Sequence, residues 1–305
     1  MARDGALTLG DVLRMLELRT KVVSLSSLLI GTAYAVCIGG RLSFVRFVLM
    51  AVATLCIDFA TAGFNSYYDF RQGVDRPDTD FERYKVLVHR DIEPRIALWL
   101  ACGMFALALP PGLALGMSVG WKVVATGTVC MAISCLYSGG PYPLSRTPVG
   151  ELFAGGVLGS VLVALSAYVQ LESLPADVLL LGVPSTLIIA AILAVNNACD
   201  LRGDARAGRR TLAILVGPIW ARRFAYLLIT LAYAAAFVLI PAGVIAPWSW
   251  LPLSLGAAVA AAEILRMHAP GFSHQTKSSA MGGISRTFLA YTLAMLVALA
   301  LPRPG

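Results

Sequence analysis

The sequence predicts an all-α membrane protein with nine transmembrane helices, and three observations lead to this fold class. Hydrophobic residues make up 58% of the 305-residue chain, only 13% of its residues are charged, and the mean hydropathy is +0.77. Soluble domains carry nearly twice that share of charge and cannot bury so much apolar surface. Nine stretches approach the roughly 20 apolar residues that cross about 30 Å of hydrocarbon. We therefore expect a single domain over residues 1–305 that is embedded in a lipid bilayer.

Short breaks rich in glycine and proline, such as Gly39–Gly40 and Pro270–Gly271, separate several of the stretches. A segment over residues 1–20 precedes them. In it, Thr8 and Asp11 come before a set of regularly spaced apolar residues, which predicts a short amphipathic helix on the membrane surface. The predicted spans lie near residues 22–40, 44–65, 96–117, 120–137, 150–170, 178–198, 220–241, 248–267 and 286–302.

The distribution of cations predicts the orientation of the chain. If the N-terminus is cytoplasmic, only Arg41, Arg46, Lys122 and Arg303 fall on the outer side, and the other 20 of the 24 Lys and Arg residues fall inside. This asymmetry is what the positive-inside rule requires. The net charge of +7 is therefore a feature of topology. The sequence contains no basic face with interleaved aromatic residues, so it does not indicate a nucleic-acid partner.

With this orientation, three large polar loops share the cytoplasmic side, over residues 66–95, 138–149 and 199–219. The outer loops are short, so we expect the chemistry of the protein at the cytoplasmic face. The alanine- and arginine-rich composition favours a bacterial cell, and hence its plasma membrane. The oligomeric state does not follow from the sequence.

The first acidic motif, NSYYDFRQGVD, ends the second span. Asn65 and Asp69 are spaced i, i+4 and therefore share one helix face. Asp75 would leave that face on a continuous helix. Gly73 is expected to end the helix, so that Asp75 returns from a loop.

The second acidic motif, NNACDLRGD, ends the sixth span. Asn196, Asp200 and Asp204 are spaced i, i+4, i+8, which places them about 40° apart on a single stripe. Asn196 follows Asn65 by 131 residues, and Asp200 follows Asp69 by the same interval, which hints at an internal duplication.

Two facing stripes of carboxylate and amide oxygens suit a hard cation such as Mg²⁺, which usually shares its shell with phosphate oxygens. Cations surround both motifs, and guanidinium groups bind phosphate oxygens in a bidentate manner. The alternative for such cations is anchoring at the lipid head groups. The candidates for binding a diphosphate are Arg71, Arg146, Arg202, Arg206, Arg209, Arg210 and Lys21.

With these motifs the chain resembles the UbiA superfamily of intramembrane prenyltransferases. The segments NSYYDFRQGVD and NNACDLRGDARAGRRTLAILVG are similar to the two aspartate-rich motifs of that superfamily. The spacing from Asp69 to Asp75, the YSGGPYPL loop and the GRRTL segment most resemble the MenA-type branch, which prenylates 1,4-dihydroxy-2-naphthoate. The resemblance implies a UbiA-type bundle that encloses a central cavity, with polar cytoplasmic loops as a cap. Ser66, Cys199 and Thr20 depart from the residues usual in that branch.

The resemblance also implies a mechanism. An isoprenyl diphosphate would bind between the motifs and ionise to an allylic cation, which a small aromatic acceptor would attack. Aromatic side chains near the motifs could stabilise the cation, or could be ordinary interfacial aromatics. The implied Mg²⁺ ligands and catalytic residues are Asp69, Asp75, Asp200, Asp204, Asn65 and Asn196. The candidate aromatics are Phe64, Tyr67, Tyr68, Tyr137 and Tyr142.

Asp58 is an acidic residue within the second span, seven residues before Asn65. Intramembrane carboxylates are costly and therefore suggest function. Asp58 could act in catalysis, by orienting or deprotonating the acceptor or by taking a proton from a cation, or it could be a structural acid hydrogen-bonded across helices. The GxxxG spacings at Gly112, Gly116 and Gly120 and at Gly155 and Gly159 predict helix packing.

Two other functions remain open at this point. A UbiA-type terpene cyclase would ionise the same diphosphate and quench the cation internally. A transporter is disfavoured because transporters concentrate polar residues at midplane helix breaks, whereas both acidic stripes lie at the inner ends of spans.

Overall fold

The computed structural model describes residues 8–75, 85–90 and 92–302. Residues 1–7 of the predicted N-terminal segment, residues 76–84 and 91 in the first polar loop, and residues 303–305, including Arg303, lie outside the described residues. Within the described part, the regular elements are helices, and nine helical segments are long and apolar enough to cross a bilayer, as predicted. These segments are Leu18–Gly39, Phe44–Arg71, Arg95–Val119, Trp121–Ser138, Gly150–Leu171, Ala176–Arg206, Leu212–Val238, Pro247–His268 and Lys277–Ala300.

The α-helices are α1 (Leu9–Met15), α2 (Val22–Gly39), α3 (Phe44–Arg71), α4 (Val86–His89), α5 (Arg95–Val119), α6 (Trp121–Ser138), α7 (Gly150–Gly155), α8 (Leu162–Leu171), α9 (Ala176–Arg206), α10 (Leu212–Val238), α11 (Trp250–His268) and α12 (Lys277–Ala300). A π-helical segment, Gly156–Val161, joins α7 to α8 within one span.

Two helices begin eight or nine residues earlier than hydropathy predicts. The seventh span was expected from residue 220, but α10 begins at Leu212 and bends at Gly217, whose φ of 80° lies in the left-handed region. The ninth was expected from residue 286, but α12 begins at Lys277. The apolar first residues of α10 are separated from the rest of the span by the bend at Gly217, whereas the first turn of α12 is polar, so hydropathy does not detect it. For the same reason α3 and α9 continue through both acidic motifs, to Arg71 and Arg206.

Helix α9 lies at the centre of the bundle, where α10, α7, the π-helical segment and α12 pack against it. Its residues Ile188, Ala191 and Val195 are fully buried. Gly155 and Gly159 allow the fifth span to approach α9 at Thr186, which confirms the packing predicted for that GxxxG pair. The acidic end of α9 is therefore held by helices on several sides.

Helix α1 confirms the predicted short N-terminal helix. Thr8 and Asp11 form a capping box, in which the Asp11 backbone N–H donates to Thr8 Oγ1 at 3.2 Å. The buried Asp11 carboxylate also pairs with Arg90 in the loop before α5. Ser66 Oγ donates to the Met15 carbonyl oxygen at 3.1 Å, so a residue that departs from the branch pattern joins α3 to α1.

Candidate active site

A cavity of about 2100 Å³ opens among α2, α3, α5, α6, the fifth span, α9 and α12. Both acidic motifs line its polar end, and aliphatic residues of α3, α5 and α6 line the remainder. The bundle therefore encloses the predicted central cavity, with charged groups at one end and an apolar wall beyond them.

In the first motif, Asn65, Asp69 and Asp75 all line the cavity. Helix α3 ends at Arg71, and Gly73 takes a φ of 67°, so the predicted break is present. The chain then turns back, and the Asp75 backbone N–H donates to the carbonyl oxygen of Asp69 at 3.2 Å. This turn returns Asp75 to the side of the helix that carries Asp69.

In the second motif, Asn196, Asp200 and Asp204 also line the cavity, on the continuous helix α9. The helix ends two residues after Asp204, and Gly208 then takes a φ of 75°. The backbone N–H of Arg209 donates to the carbonyl oxygen of Asp204 at 3.0 Å. In both motifs a glycine with a left-handed conformation thus follows the end of the helix, and the chain after it turns back toward the site.

Arg209 joins the two motifs. Its guanidinium lies 2.8 Å from Asp69 Oδ1 and 3.3 Å from Asp204 Oδ1, and its side chain is only 10% exposed. Burial by itself lowers the pKa of Arg209, but the carboxylates of Asp69 and Asp204 outweigh burial and raise that pKa above its ordinary value. A fixed positive charge therefore lies between the two carboxylate stripes.

Two lysines that the sequence analysis missed pair with the remaining aspartates. Lys85 Nζ lies 3.0 Å from Asp75 Oδ2, and Lys277 Nζ lies 2.6 Å from Asp200 Oδ2. His274 Nδ1 lies 3.6 Å from the other oxygen of Asp200. Burial disfavours the charge on Lys85, yet the nearby Asp75 and Asp69 raise its pKa well above the ordinary value. The only sequence signal for these residues was their place in inner loops.

The donor set fits a hard cation, although the carboxylates do not form a ready-made cluster. In residues 8–75, 85–90 and 92–302, no three acidic, histidine or cysteine side chains are grouped to hold a metal. The cations Arg209, Lys85 and Lys277 occupy the carboxylates instead. Asp204 Oδ2, however, is buried without a hydrogen-bond partner, which leaves an oxygen ligand available at the cavity. Oxygen atoms of this kind are what Mg²⁺ binds.

Comparison with known proteins identifies this arrangement. Residues 24–282 match the model of the UbiA prenyltransferase family. The chain belongs to the UbiA prenyltransferase family. It is a membrane-embedded prenyltransferase, and the family resemblance predicted from its two motifs is confirmed.

Two relatives are similar over most of their length. The chain is 32% identical over 246 residues to the 1,4-dihydroxy-2-naphthoate octaprenyltransferase of Bacillus subtilis (strain 168). The matched region covers 79% of this chain and 77% of that protein. The chain is 29% identical over 246 residues to the protein of the same name from Mycobacterium tuberculosis, where the matched region covers 79% and 82%. These matches confirm the resemblance to the MenA-type branch.

The fold is that of solved UbiA structures. A UbiA homolog from Archaeoglobus fulgidus bound to GPP and Mg²⁺ superimposes with a TM-score of 0.60 at 19% identity, covering 94% of this chain and 99% of that one. The predicted UbiA-type bundle is therefore confirmed.

Four of the seven cations that were predicted to bind the diphosphate line the prenyltransferase cavity. They are Arg209, Arg202, Arg206 and Lys21. The structure does not place the other three there. Arg71 is exposed and donates to Tyr67 Oη at 3.0 Å. Arg146 donates to Gln72 Oε1 at 3.2 Å and to the Ala207 carbonyl oxygen, and so ties the ends of α3 and α9 together. Arg210 is exposed, and its backbone N–H donates to the carbonyl oxygen of Arg146.

Only one of the five predicted aromatic residues, Tyr137, lines the cavity. Phe64 is buried against Phe105 with ring centroids 5.2 Å apart. Tyr67 and Tyr68 pack edge to face beside it on α3, and Tyr142 is 86% exposed in the loop after α6. These four residues flank the motifs in sequence, but their side chains leave α3 or the loop on sides away from the cavity.

Asp58 lines the cavity and is also held by two hydrogen bonds to the start of α2. Lys21 Nζ lies 2.7 Å from Asp58 Oδ1, and Ser24 Oγ donates to Asp58 Oδ2 at 2.6 Å. The structural alternative, an acid bonded across helices, is thus observed. Lys21, which was expected at the diphosphate, is the partner of this carboxylate.

Proposed function

We propose that this prenyltransferase transfers a prenyl group from an isoprenyl diphosphate to 1,4-dihydroxy-2-naphthoate, with Mg²⁺ and at the cytoplasmic face of a bacterial plasma membrane. One observation carries the proposal: two aspartate stripes meet across Arg209 at the polar end of a long apolar cavity. The polar end suits a diphosphate with its metal, and the apolar part suits an isoprenoid chain.

The residues of the polar end would have two roles in binding the diphosphate: some would hold Mg²⁺ and others would donate hydrogen bonds to its oxygens. Asp69, Asp75, Asp200 and Asp204 would hold Mg²⁺, with Asn65 and Asn196 as neutral ligands. Mg²⁺ bound there supplies Lewis-acid stabilisation of the charge on the leaving diphosphate. Arg209, Lys85 and Lys277, which pair with these aspartates, are placed to donate to diphosphate oxygens, as are Arg202 and Arg206 at the cavity wall.

The chain then protects the reactive carbon. The bond between the allylic carbon and the diphosphate oxygen breaks, and the electron pair leaves with the diphosphate. The apolar walls exclude water from the resulting cation, and the face of Tyr137 stabilises it. A carbon of the electron-rich naphthoate ring attacks, so that a carbon–carbon bond forms. The ring carbon then loses its carboxylate as CO₂, which restores the aromatic ring.

The two curated relatives support this acceptor, because both are named for the same naphthoate reaction. The solved homolog bound to GPP and Mg²⁺ supports the donor and metal classes.

The test is pyrophosphate release by the purified protein with geranylgeranyl or octaprenyl diphosphate, in Mg²⁺ or EDTA, with and without 1,4-dihydroxy-2-naphthoate. Release that requires both metal and naphthoate, with formation of the prenylated ring, is the expected result. Metal-dependent release without an acceptor would indicate a terpene cyclase. No release from either donor would refute the proposed reaction.

A further inference from the structure

The apolar end of the cavity is closed by a buried cluster of side chains. Met50, Leu115, Val123 and Leu162 line the cavity and are between 1% and 8% exposed. They belong to one hydrophobic cluster built from α2, α3, α5, α6 and α8. The cavity therefore has a floor on this side, formed by packed protein.

The distance from the acidic motifs to this floor follows from helix geometry. Nineteen residues of the continuous helix α3 separate Met50 from Asp69, which corresponds to about 28 Å. An extended isoprene unit spans roughly 5 Å, given carbon–carbon bonds of about 1.5 Å. Four units therefore end short of the floor, whereas a chain of eight units, roughly 40 Å long, must fold at the far end.

Two glycines lie about one helical turn above the floor, on the side of the acidic motifs. Gly116 of α5 packs against Val124 of α6. Because the two helices run in opposite directions, one turn nearer the acidic end corresponds to Gly112 on α5 and to Gly127 on α6. Both glycines line the cavity, and a Cβ atom added to either would meet no atom within 4 Å. The prediction that Gly112 serves helix packing is wrong, whereas Gly116 does pack against α6, because a Cβ atom added there would lie only 2.3 Å from Val124 Cγ2.

We infer that the space between Gly112 and Gly127, above the Met50 floor, is the pocket for the far end of the prenyl chain, and that these two glycines set the longest donor the enzyme accepts. This inference rests on the proposed prenyl donor. Side chains at either position would occupy the volume in which a long chain folds. A chain of four isoprene units would not reach them.

The test compares wild type with Gly112→Phe and Gly127→Phe, using geranylgeranyl and octaprenyl diphosphate in competition within one preparation. We expect kcat/KM for the shorter donor to change less than about twofold. For the longer donor we expect it to fall by about tenfold or more, which corresponds to about 1.4 kcal/mol, because the added side chain overpacks the pocket. Gly103→Phe is the matched control, because Gly103 also lies on α5 with space for a side chain but does not line the cavity.

Binding gives a second measurement that is independent of turnover. The rise in melting temperature with each donor and Mg²⁺, without acceptor, should shrink only for octaprenyl diphosphate in the two cavity variants. An unchanged donor preference in both folded variants, or equal losses for both donors, overturns the inference. Gly112→Leu and Gly127→Leu serve if a phenylalanine variant fails to fold. Absence of turnover by wild type would count against the proposed reaction, while the binding comparison still decides the role of the glycines.

Discussion

Arg209 holds together two carboxylates that would otherwise repel one another at the polar end of the cavity. We predict that Arg209→Gln lowers kcat for pyrophosphate release by about 10²–10³-fold, because a preorganised charged donor to the leaving group is lost. Steady-state kinetics with saturating donor checks this. Arg223→Gln is the control, since Arg223 stacks on Trp220 outside the cavity lining. Activity above half of wild type in Arg209→Gln would remove Arg209 from the mechanism.

Asp58 and Lys21 form a buried pair, with side chains 15% and 4% exposed. Removing one partner leaves the other charge uncompensated, so Asp58→Asn should lower the free energy of unfolding by about 3–5 kcal/mol. The double variant Asp58→Leu with Lys21→Met should recover most of that loss. Unfolding in detergent measures both. If Asp58→Asn keeps wild-type stability and still blocks product formation, Asp58 acts on the acceptor instead.

For individual residues of the site, regular spacing in the sequence determined which positions could be predicted. The i, i+4, i+8 spacing of the second motif placed its three polar residues on one stripe, because a continuous helix fixes their relative directions. The partners of those residues were not predictable in the same way. Lys277 reaches Asp200 only because α12 packs against α9, a contact 77 residues apart in the chain. For Tyr67 and Tyr68, proximity to the motif in sequence did not determine the direction of the side chain.

At the scale of the helices, Gly159 is a point of close approach between the fifth span and α9. A Cβ atom there would lie 2.5 Å from Thr186 Cα, whereas none at Gly156, in the same π-helical segment, would meet an atom within 4 Å. We predict that Gly159→Ala costs about 1–3 kcal/mol of stability through overpacking. Gly156→Ala should be close to neutral. Thermal unfolding of the two variants in the same detergent makes the comparison, and equal melting temperatures would contradict it.

Helix α1 is held by a charge that persists to low pH. The hydrogen bond from Thr8 and the neighbouring Arg90 lower the pKa of Asp11 to about 2. Because the folded pKa lies below the ordinary value near 3.9, the contribution of Asp11 to stability is complete above about pH 4 and is lost as the pH falls toward 2. Amide hydrogen exchange over Leu9–Met15 should show constant protection from pH 7 to 5 and a loss below pH 4. Loss of protection already near pH 6 would exclude this pair as the clamp.

The helices themselves were largely predictable from hydropathy, because a bilayer imposes a minimum apolar length on every span. The starts of α10 and α12 were not, since the bend at Gly217 interrupts α10 after its first five residues and the first turn of α12 is polar. Those turns matter for the site, because Lys277 lies at the first residue of α12. Hydropathy therefore misses the polar helical turns that carry functional residues in this protein.

For the whole molecule, the proposed cytoplasmic site depends on an orientation that rests on cations: 20 of 24 Lys and Arg residues fall on one side of the nine spans. Even span counts between two loops place them on the same side, and odd counts on opposite sides. The turn after α10 and the turn after α11 are separated by one span, and the second of these lies beside the acidic motifs through His274.

We predict that, in a variant with its native cysteines replaced, Ala269→Cys after α11 is labelled by a membrane-impermeant maleimide only after the cells are permeabilised. Ala242→Cys after α10 should be labelled in intact cells, because it lies at the opposite face. Both positions are exposed, so differences in labelling report on sidedness and not on burial. The reverse pattern would place both aspartate stripes on the outer face. A diphosphate donor made in the cytoplasm could not reach them there, so the positive-inside charge distribution and the proposed function would fail together.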